Sequence, residues 1–395
     1  MTRPLDTIRA FHDELTTWRR DFHAHPEIGF EEERTSAAVA AKLEKFGCEV
    51  HRNVGKTGVV GVLRAGNAPQ SIGLRADMDA LPILEANDLP YRSRNDGRMH
   101  ACGHDGHTTM LLGAAKYLAA TRNFDGTVNF IFQPAEEGLG GAKAMLADDL
   151  FTRFPCDFVY GMHNMPGHPV GTFAIRPGTM MAAGAFFDIF IDGKGSHGAR
   201  PEDGVDPVII AAQMTMALQT IVSRNVEPIE PAVVSVTQIH TGAAYNVVPD
   251  NAVLRGTARA FSRDVMALIE SNMRRLVENV AASFGARARL DFRDLFAPLV
   301  NEPEETQVFA DVVADMVGEN NVDRKRSRVL GSEDFSFMLE ACPGAYINIG
   351  NGTEGSHAAP LHNPRYDFND AVLPFGAAAF AALVERKLAR MASNA

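Results

Sequence analysis

The segment HACGHDGH, residues 100–107, combines three of the 13 histidines with a cysteine and an aspartate. Cys102 and His104 are two residues apart, and Asp105 follows directly. A thiolate and an imidazole this close together, on a glycine-containing loop before a helix, can bind one metal ion. The alternative is a structural loop in which Asp105 caps the helix and Cys102 is a small buried residue. The number of metal-binding side chains in the segment favours the metal site.

Two adjacent carboxylates, Glu136 and Glu137, follow the apolar run VNFIFQ and Pro134. In open α/β sheets, ligands bind beyond the carboxyl ends of the strands. Because neighbouring residues of an extended segment point in different directions, one carboxylate can hold a metal ion while the other faces a water molecule as its general base. Considered alone, paired glutamates are more often solvated charges at the start of a helix.

Further side chains of the same chemical types follow other apolar runs. His163 lies in FVYGMHN, His362 lies in PLHNPRYDF, and SIGLRADMDALP contains Arg75, Asp77 and Asp79. A single histidine at the end of a strand is more often a hydrogen-bonded structural residue. Several metal-binding residues at the same edge of one sheet are harder to explain in that way, and they predict a metal site there.

Short apolar runs alternate with a helical pattern in the first half of the chain. The pattern predicts strands at residues 59–63, 72–74, 128–132 and 158–162 and a helix at residues 108–120. This alternation is typical of an α/β domain in which helices cover a mixed sheet. Near the start, apolar residues at spacings of three and four predict one amphipathic helix with the stripe Ile8, Phe11, Leu15, Trp18 and Phe22.

The pattern changes at about residue 182, where GAFFDIFIDG alternates its faces and places Phe187, Ile189 and Ile191 on one side. A helix at 207–222, strands at 232–239 and 252–261, a helix at 265–284 and a strand at 286–292 complete the order βαββαβ. This order is that of a ferredoxin-like unit. A helix at 306–317 and a strand at 346–350 then restore the α/β character. We therefore predict a discontinuous domain of residues 1–183 and 295–395 with an inserted domain of residues 184–294.

The 395-residue chain carries 38 Lys and Arg against 49 Asp and Glu, a formal net charge of −11. This balance disfavours nucleic acid and anionic membrane surfaces as partners. No apolar stretch approaches about 18 residues, so no membrane span is predicted, and the N-terminal segment lacks the apolar core of a signal peptide. The four cysteines are widely spaced and include no CxxC pair. This usage is typical of reduced thiols, and we expect a cytoplasmic protein.

Six motifs occur in one order over residues 100–368: HACGHDGH, FQPAEEG, GMHN, GKGSHGARP, YNVVPD and LHNPRYDF. In this order they resemble the M20 metallopeptidase family, and specifically its aminoacylase-like branch, which includes hippurate hydrolases, N-acetyl-diaminopimelate deacetylases and auxin-conjugate amidohydrolases. The segments HAHPEIGFEE and RADMDALP are similar to the same branch. The resemblance implies a zinc-peptidase-like α/β catalytic domain, with the inserted ferredoxin-like βαββαβ unit as a lid and dimerisation domain.

The resemblance also implies roles for individual residues. Five residues match the ligands of two divalent metal ions in this branch: Cys102, His104, Glu137, His163 and His362. Glu136 matches the general base, and Asp79 matches the acid that orients the site. In the inserted unit, His197 matches a histidine that reaches a neighbouring subunit's active site and stabilises the oxyanion. Asn246 and Arg259 match residues that hold the carboxylate of the substrate.

One position departs from the wider family. The usual His-x-Asp ahead of a proline corresponds to residues 77–79 ahead of Pro82, so Asp77 replaces a histidine ligand, and Cys102 with His104 compensate. This arrangement matches the aminoacylase-like branch. The identity of the metal stays open, because a thiolate favours softer ions such as zinc, whereas availability in the cell selects among zinc, manganese, cobalt and nickel.

These matches predict a dinuclear metal-dependent amidohydrolase that cleaves a small-molecule N-acyl-L-amino acid into a carboxylic acid and a free amino acid. A dipeptidase or an N-carbamoyl-amino-acid hydrolase is the alternative within the same class. A non-catalytic metal-binding scaffold that keeps the fold is the alternative outside it. The uncovered second face of the inserted sheet and the role matched by His197 predict a homodimer, or a tetramer built from dimers, formed through that unit.

Overall fold

The computed structural model describes residues 4–390 of the chain, which divide into two compact units. The smaller unit comprises Met181–Leu299 and Arg328–Glu333, and the larger unit comprises the described residues before, between and after these segments. The sequence pattern placed the end of the inserted domain at residue 294, whereas its last strand continues to Phe296. A β-bridge between Met181 and Val329 adds the second segment, which no periodicity in the sequence indicates.

The strands, in chain order, are β1 (Glu49–Val54), β2 (Gly58–Ala65), β3 (Ser71–Asp77), β4 (Gly126–Gln133), β5 (Phe158–Pro166), β6 (Phe173–Ala174), β7 (Gly178–Met181), β8 (Ala183–Asp192), β9 (Ser196–His197), β10 (Ala232–Thr241), β11 (Val247–Val248), β12 (Asn251–Ala260), β13 (Arg287–Phe296), β14 (Leu299–Asn301), β15 (Val322–Asp323) and β16 (Gly344–Gly352). The helices are α1 (Pro4–Arg9), α2 (His12–Ala24), α3 (Glu33–Lys45), α4 (His104–Thr121), α5 (Gly141–Ala147), α6 (Leu150–Arg153), α7 (Pro207–Asn225), α8 (Arg263–Ser283), α9 (Pro303–Val317), α10 (Phe335–Ala341) and α11 (Leu373–Lys387). No helix within residues 4–390 has both the length and the apolar character that a membrane span requires.

In the part of the chain that the structure describes, the larger unit contains an eight-stranded mixed sheet in the order β1-β2-β4-β3-β5-β16-β6-β15. β3 pairs in parallel with β4 and β5, and β16 pairs in parallel with β5. The carboxyl ends of these four strands therefore meet at one edge of the sheet. Asp77 ends β3 and His163 lies in the second half of β5, so two of the candidate residues reach this edge. The predicted α/β class is confirmed.

Helix α4 carries the first candidate segment and packs against α2, α11 and β3. Its residues from His104 to Ala115 are all buried, because the sheet and the neighbouring helices surround it. A helix that is buried on all sides belongs to the core of its domain. The polar first turn of α4 is therefore enclosed by protein, where it can only be stabilised by specific partners.

The N-terminal amphipathic segment forms two helices, so the prediction of one continuous helix is wrong. A turn separates α1 from α2, and there the amides of Ala10 and Phe11 bond to the carbonyl oxygens of Thr7 and Ile8. These bonds reach back three residues and so tighten the chain beyond an α-helix. The apolar residues still face the core on both sides of the turn, since Ile8 and Leu15 are fully buried.

The smaller unit has the predicted order βαββαβ, formed by β8, α7, β10, β12, α8 and β13. Within its described residues, the strands are antiparallel and lie in the order β10-β12-β8-β13, while β9 and β11 form a separate ladder. Phe187, Ile189 and Ile191 are fully buried in the core that the sheet forms with α7 and α8, as the alternation predicts. On the other face of the sheet, Phe186 is 45% exposed.

Candidate metal centre

Candidate metal-binding side chains converge at the carboxyl edge of the large sheet. Five groups of three candidate side chains in the described residues have ligand atoms within 4.8 Å of one another, and three of the groups contain the predicted ligands: Cys102, His104 and His163; Cys102, Glu137 and His362; and His104, Glu136 and Glu137. The first two groups share Cys102, and the first and third share His104. The structure therefore brings together five candidate ligands and the carboxylate that matches the general base.

Backbone geometry sets two of these positions. The first turn of α4 follows Gly103, whose φ is 98° and where an added Cβ would lie 2.2 Å from Asn164 Oδ1, so only glycine fits. The amide of His362 donates to the carbonyl oxygen of Ala101 at 2.8 Å and so fixes this histidine beside the same turn. His362 has a φ of 65°. Such a conformation costs about 1–3 kcal/mol in a residue other than glycine and is common at functional sites.

Hydrogen bonds fix the tautomers of two histidines in the cluster. His104 Nδ1 lies 2.9 Å from the carbonyl oxygen of Asp79 and 3.2 Å from its Oδ1. His163 Nδ1 lies 2.7 Å from the carbonyl oxygen of Asn164. Because a carbonyl oxygen only accepts, both Nδ1 atoms carry a proton, so the neutral form of each ring has its lone pair on Nε2. His163 Nε2 lies 3.4 Å from Cys102 Sγ and so faces the other candidate ligands.

Buried polar atoms without hydrogen-bond partners support the fit of a metal ion. Within the described residues, His104 Nε2 and Glu137 Oε1 are buried and have no such partner. Glu137 Oε1 lies 3.1 Å from His362 Nε2, but the two are not aligned for a hydrogen bond. A buried unpartnered polar atom costs about 1–3 kcal/mol, and a cation that takes both lone pairs removes this cost. Thiolate, imidazole and carboxylate donors together suit zinc and comparable divalent ions.

The charges around the cluster favour a cation. Burial raises the pKa of the Cys102 thiol, and the Glu137 carboxylate raises it further. Burial opposes protonation of His104, but Asp77 and Asp79 outweigh this effect and raise its pKa to about 10. In metal-free protein, protons therefore occupy positions that a metal ion would take. We expect metal binding to release protons.

Asp77, which the sequence aligns with a histidine ligand, has both carboxylate oxygens bonded to protein. Arg75 Nη1 donates to Oδ2 at 2.7 Å, and His107 Nδ1 donates to Oδ1 at 2.6 Å. His107 Nε2 lies 2.8 Å from Asn164 Oδ1, so both of its nitrogens have protein partners. Although Asp77 and His107 lie within 4.8 Å of a ligand atom of His104, their contacts identify them as a support for the cluster.

Asp105 lies within the first turn of α4 and does not cap the helix. Its Oδ2 lies 2.9 Å from His23 Nδ1 and 3.6 Å from Arg19 Nη1, and all three side chains are fully buried. The carboxylate therefore connects α4 to α2. The remaining histidine of the segment, His100, is buried, and neither of its ring nitrogens has a hydrogen-bond partner in the described chain. Burial lowers its pKa to about 3.

Glu136 is buried, and its Oε1 accepts a hydrogen bond of 3.3 Å from the backbone amide of Asp334. The Asp334 carboxylate is held by Gln133 Nε2 at 2.6 Å, by Arg75 Nη2 at 3.3 Å and by the Ala142 amide at 2.9 Å. Sequence analysis missed Asp334 and Gln133 as members of the site. No motif spacing connects Asp334 to Glu136, because 198 residues separate them.

His197 and Asn246 lie next to each other in the smaller unit, at the ladder of β9 and β11. The carbonyl oxygen of Asn246 accepts a hydrogen bond from the Gly198 amide at 2.7 Å. His197 Nδ1 accepts from the Ala199 amide at 3.0 Å, so the Nε2 of this exposed ring carries the proton. His197 is thus set up as a hydrogen-bond donor.

Arg259 lies near the end of β12 in the smaller unit. Its Nη1 donates to the carbonyl oxygen of Ala258 at 2.9 Å and to the hydroxyl of Thr257. Burial lowers its pKa, and no carboxylate of the described chain pairs with it. A partly buried guanidinium without a counter-ion can bind an anion, and its planar fork matches a carboxylate.

Metal-dependent hydrolases combine such a ligand cluster with an adjacent buried carboxylate, and this chain is an enzyme of that class. Its family follows from sequence comparison. The model of Peptidase family M20/M25/M40 matches residues 73–386, so the chain belongs to this family.

Individual relatives agree with the family. The chain is 44% identical over 382 residues to a hippurate hydrolase of Campylobacter jejuni, which covers 96% of this chain and 98% of the relative. It is 38% identical over 382 residues to thermostable carboxypeptidase 1 of Saccharolobus solfataricus, and the match covers 95% of this chain and 96% of that relative. Among solved structures, it is similar to the YXEP protein of Bacillus subtilis, described as a dinuclear metal-binding peptidase of the M20 family. That similarity has a TM-score of 0.83 and 33% identity, and covers 97% of this chain and 100% of that one.

Proposed function

We propose that the protein hydrolyses the amide bond of hippurate-like N-acyl-L-amino acids and releases a carboxylic acid and a free amino acid. The observation that carries the proposal is the group of His104, Glu136 and Glu137, which sets a buried carboxylate beside residues that can hold a metal ion. The 44% identity to a hippurate hydrolase supports the class of substrate.

We assign two divalent ions, of zinc, manganese, cobalt or nickel, to the ligands Cys102, His104, Glu137, His163 and His362. When bound, such ions polarise the amide carbonyl and lower the pKa of water. Asp79 orients two of the ligands, because it accepts hydrogen bonds from His104 Nδ1 at 3.2 Å and from the Glu137 amide at 3.0 Å. Partners of this kind fix the orientation of a ligand and raise its basicity.

Glu136 acts as the general base in this proposal. It takes a proton from the attacking water and later delivers the proton to the leaving amine. The hydrogen bond from the Asp334 amide fixes the orientation of its carboxylate. General-base catalysis typically contributes about 10²–10⁴ in rate, and we expect Glu136→Gln to lose activity by a factor in this range.

The remaining roles belong to the smaller unit. The half-buried, unpaired Arg259 binds the carboxylate of the substrate together with Asn246. His197 donates a hydrogen bond from its Nε2 to the carbonyl oxygen of the substrate as that oxygen becomes negatively charged. Removal of one donor to an oxyanion typically costs about 10²–10³ in rate.

We also propose a homodimer, or a tetramer built from dimers, that forms through the smaller unit in the cytoplasm. Apolar side chains are exposed next to His197, including Tyr245 and Val247, and Val247 is its partner in the ladder. Exposed apolar patches of this kind are typical of protein interfaces. The four free cysteines support a reducing compartment.

Mixed dimers test whether His197 serves the site of the other subunit. Inactive His197→Ala and Glu136→Ala proteins are mixed, and hybrid dimers are isolated by two different affinity tags. We expect activity to return, because each hybrid contains one site with an intact base and an intact oxyanion donor. Isolated hybrids without activity would exclude the shared site.

A second candidate is removal of the C-terminal amino acid from peptides, either as a carboxypeptidase or as a dipeptidase. The 38% identity to thermostable carboxypeptidase 1 favours it. The bond and the free carboxylate are the same in both candidates, and they differ in whether the acyl group is a peptide. N-carbamoyl amino acids are a further variant of the same chemistry.

The deciding experiment measures amino-acid release by metal-stripped protein, with and without Mn²⁺, Co²⁺, Ni²⁺ or Zn²⁺. The panel contains N-benzoyl, N-acetyl, N-indoleacetyl and N-carbamoyl amino acids and dipeptides, with Glu136→Gln as the control. We expect metal-dependent cleavage of the acylated compounds. Cleavage of dipeptides alone supports the second candidate. Absence of turnover in protein with bound metal would reject both and favour the metal-binding scaffold.

A further inference from the structure

Glu32 is a fully buried carboxylate that belongs to none of the candidate ligand groups found among the described residues. It lies directly before α3, in the segment HPEIGFEEE, and reaches two parts of the larger unit that are distant in sequence. Its Oε1 accepts a hydrogen bond of 2.8 Å from the amide of Ala135, and its Oε2 accepts one of 2.5 Å from the hydroxyl of Thr57. Burial of a carboxylate is costly unless its oxygens are hydrogen-bonded, and these two bonds offset part of that cost.

The bond to Ala135 acts on the turn that carries the two glutamates of the site. Ala135 has a φ of 53°, a left-handed conformation that costs a residue with a Cβ roughly 1–2 kcal/mol. It persists only if the surrounding contacts determine it. Gly29 packs so closely against this turn that an added Cβ would lie 2.9 Å from the Ala135 Cα. The segment around Glu32 is thus fitted to the turn by contact and by hydrogen bond.

A second carboxylate, that of Asp79, binds the same turn at Glu137, two residues after Ala135. Asp79 Oδ2 accepts a hydrogen bond of 3.0 Å from the Glu137 amide. Residues 135 and 137 are therefore each held by one buried carboxylate, and Glu136 lies between them. These two hydrogen bonds fix the backbone at Ala135 and Glu137, and the backbone conformation there determines where the Glu136 and Glu137 side chains point.

A helix-capping role does not explain Glu32. It occupies the position before α3, but its side chain makes no capping hydrogen bond. Capping is done by Glu27, whose two oxygens accept from the amides of Arg34 at 3.0 Å and Thr35 at 2.8 Å. The Glu32 carboxylate instead accepts hydrogen bonds from the Ala135 amide and from the Thr57 hydroxyl.

We propose that Glu32 is a positioning residue of the metal centre, which holds residues 134–138 so that Glu137 faces the metal ion and Glu136 faces the attacking water. This inference rests on the proposed function for the roles of both glutamates, but its test by metal affinity depends only on Glu137 as a metal ligand. Glu32 touches neither substrate nor metal, and it acts through the backbone of Ala135.

Three substitutions of Glu32 separate this role from a general role in folding. Glu32→Gln keeps an acceptor for the Ala135 amide, Glu32→Asp keeps the charge but is one methylene too short, and Glu32→Ala removes both bonds. Glu27→Ala is the matched control, because it removes a cap of the same helix and leaves the turn untouched. Loss of such a cap costs about 1 kcal/mol of stability.

The measurements are Mn²⁺ affinity of metal-stripped protein by calorimetry, hydrogen exchange of the peptide that contains residues 134–138, and kcat and KM on the best acylated substrate. Partners of metal ligands typically contribute about 10–100-fold to metal affinity or activity. We expect Glu32→Asp and Glu32→Ala to lose at least about tenfold in Mn²⁺ affinity and in kcat, with KM nearly unchanged and faster exchange of the turn. Glu32→Gln and Glu27→Ala retain all three properties.

Retention of Mn²⁺ affinity and of slow exchange by Glu32→Asp, within a factor of two, would overturn the proposal. The pair Glu32→Asp and Glu32→Gln decides the matter even if Glu32→Ala does not fold. A failure of the proposed function gives a different result, in which the wild-type protein cleaves no acylated substrate but the Glu32 series still changes Mn²⁺ affinity and exchange.

Discussion

His104 and His107 belong to the same motif but differ in whether their ring nitrogens are available to a metal ion, a difference that the sequence does not show. Both belong to HACGHDGH, and residue type alone makes them equivalent candidates. Among residues 4–390, His104 Nε2 has no hydrogen-bond partner, whereas both nitrogens of His107 have one, in Asp77 and Asn164. The motif therefore predicts a metal site, but strands β3 and β5 decide which imidazole is available to it.

Replacement of Cys102 tests a proposed ligand that is shared between two groups. Because Cys102 belongs to two of the three groups that contain the predicted ligands, we expect Cys102→Ala to lose at least about tenfold in metal affinity. Cys342→Ala is the control, since this thiol is also buried, and its hydrogen bonds within the described residues go to the backbone carbonyl oxygens of Cys156 and Pro343. Calorimetry with Zn²⁺ on metal-stripped proteins measures the difference. Full metal content and activity in Cys102→Ala would contradict the assignment.

Arg75 compensates two buried carboxylates at once, Asp77 at 2.7 Å and Asp334 at 3.3 Å. Removal of one partner from a buried ion pair typically costs about 3–5 kcal/mol, because a charge stays buried without compensation. We expect this loss in the free energy of unfolding of Arg75→Leu, measured with urea. Arg64→Leu, which removes an exposed pair with Glu49, is expected to lose less than about 1 kcal/mol. Similar losses in both variants would disprove the role of Arg75.

Among the helices and strands, the sequence predicts those whose buried faces leave a regular pattern of apolar residues. The alternation in β8 and the apolar run in β4 gave both strands, because one or both faces of each strand are covered. The break between α1 and α2 has no such signal, since its apolar residues stay on the same side. The turn around Ala135 is also hidden, because its left-handed φ depends on the distant Glu32.

The junction of α2 and α4 predicts a dependence of stability on pH. Burial opposes protonation of His23, but its hydrogen bonds to Asp105 and Glu85 outweigh this effect and raise its pKa to about 9. Since the unfolded value is 6.5, protonated His23 stabilises the fold below about pH 6.5, and this contribution is lost as the pH rises through 9. Its full size is of the order of 3 kcal/mol.

His23→Gln measures this contribution in metal-stripped protein. We expect the difference in unfolding free energy between wild type and variant to decrease between pH 6.5 and 9, which is the range of the pKa shift. His51→Gln, whose ring contacts Glu49 at the surface, serves as the control. A difference that is constant over this range would show that His23 does not bind its proton more tightly in the folded state.

For the molecule as a whole, the division into two units separates metal binding from the rest of the chain. All the proposed ligands belong to the larger unit, and the smaller unit has its own core. A metal ion at about 100 times its dissociation constant adds about 2.7 kcal/mol to the unit that binds it. We therefore expect calorimetry to show two unfolding transitions, of which added Zn²⁺ raises only one.

His163→Ala is the control for that experiment, because it removes a proposed ligand from β5 and leaves the smaller unit unchanged. The shift of the metal-sensitive transition should decrease in this variant, while the other transition keeps its temperature. If Zn²⁺ raised both transitions equally, the metal would not be confined to the larger unit.

The interrupted course of the larger unit also orders events during synthesis. β5 pairs with β16, yet the whole stretch Met181–Leu299 is translated between them. At about 5–20 residues per second, β16 leaves the ribosome on the order of ten to forty seconds after β5. In this interval the inserted sheet can close by itself, while one edge of β5 stays open to other chains. His362 follows β16 in the chain, so a nascent or truncated chain that stops before it lacks one of the proposed metal ligands.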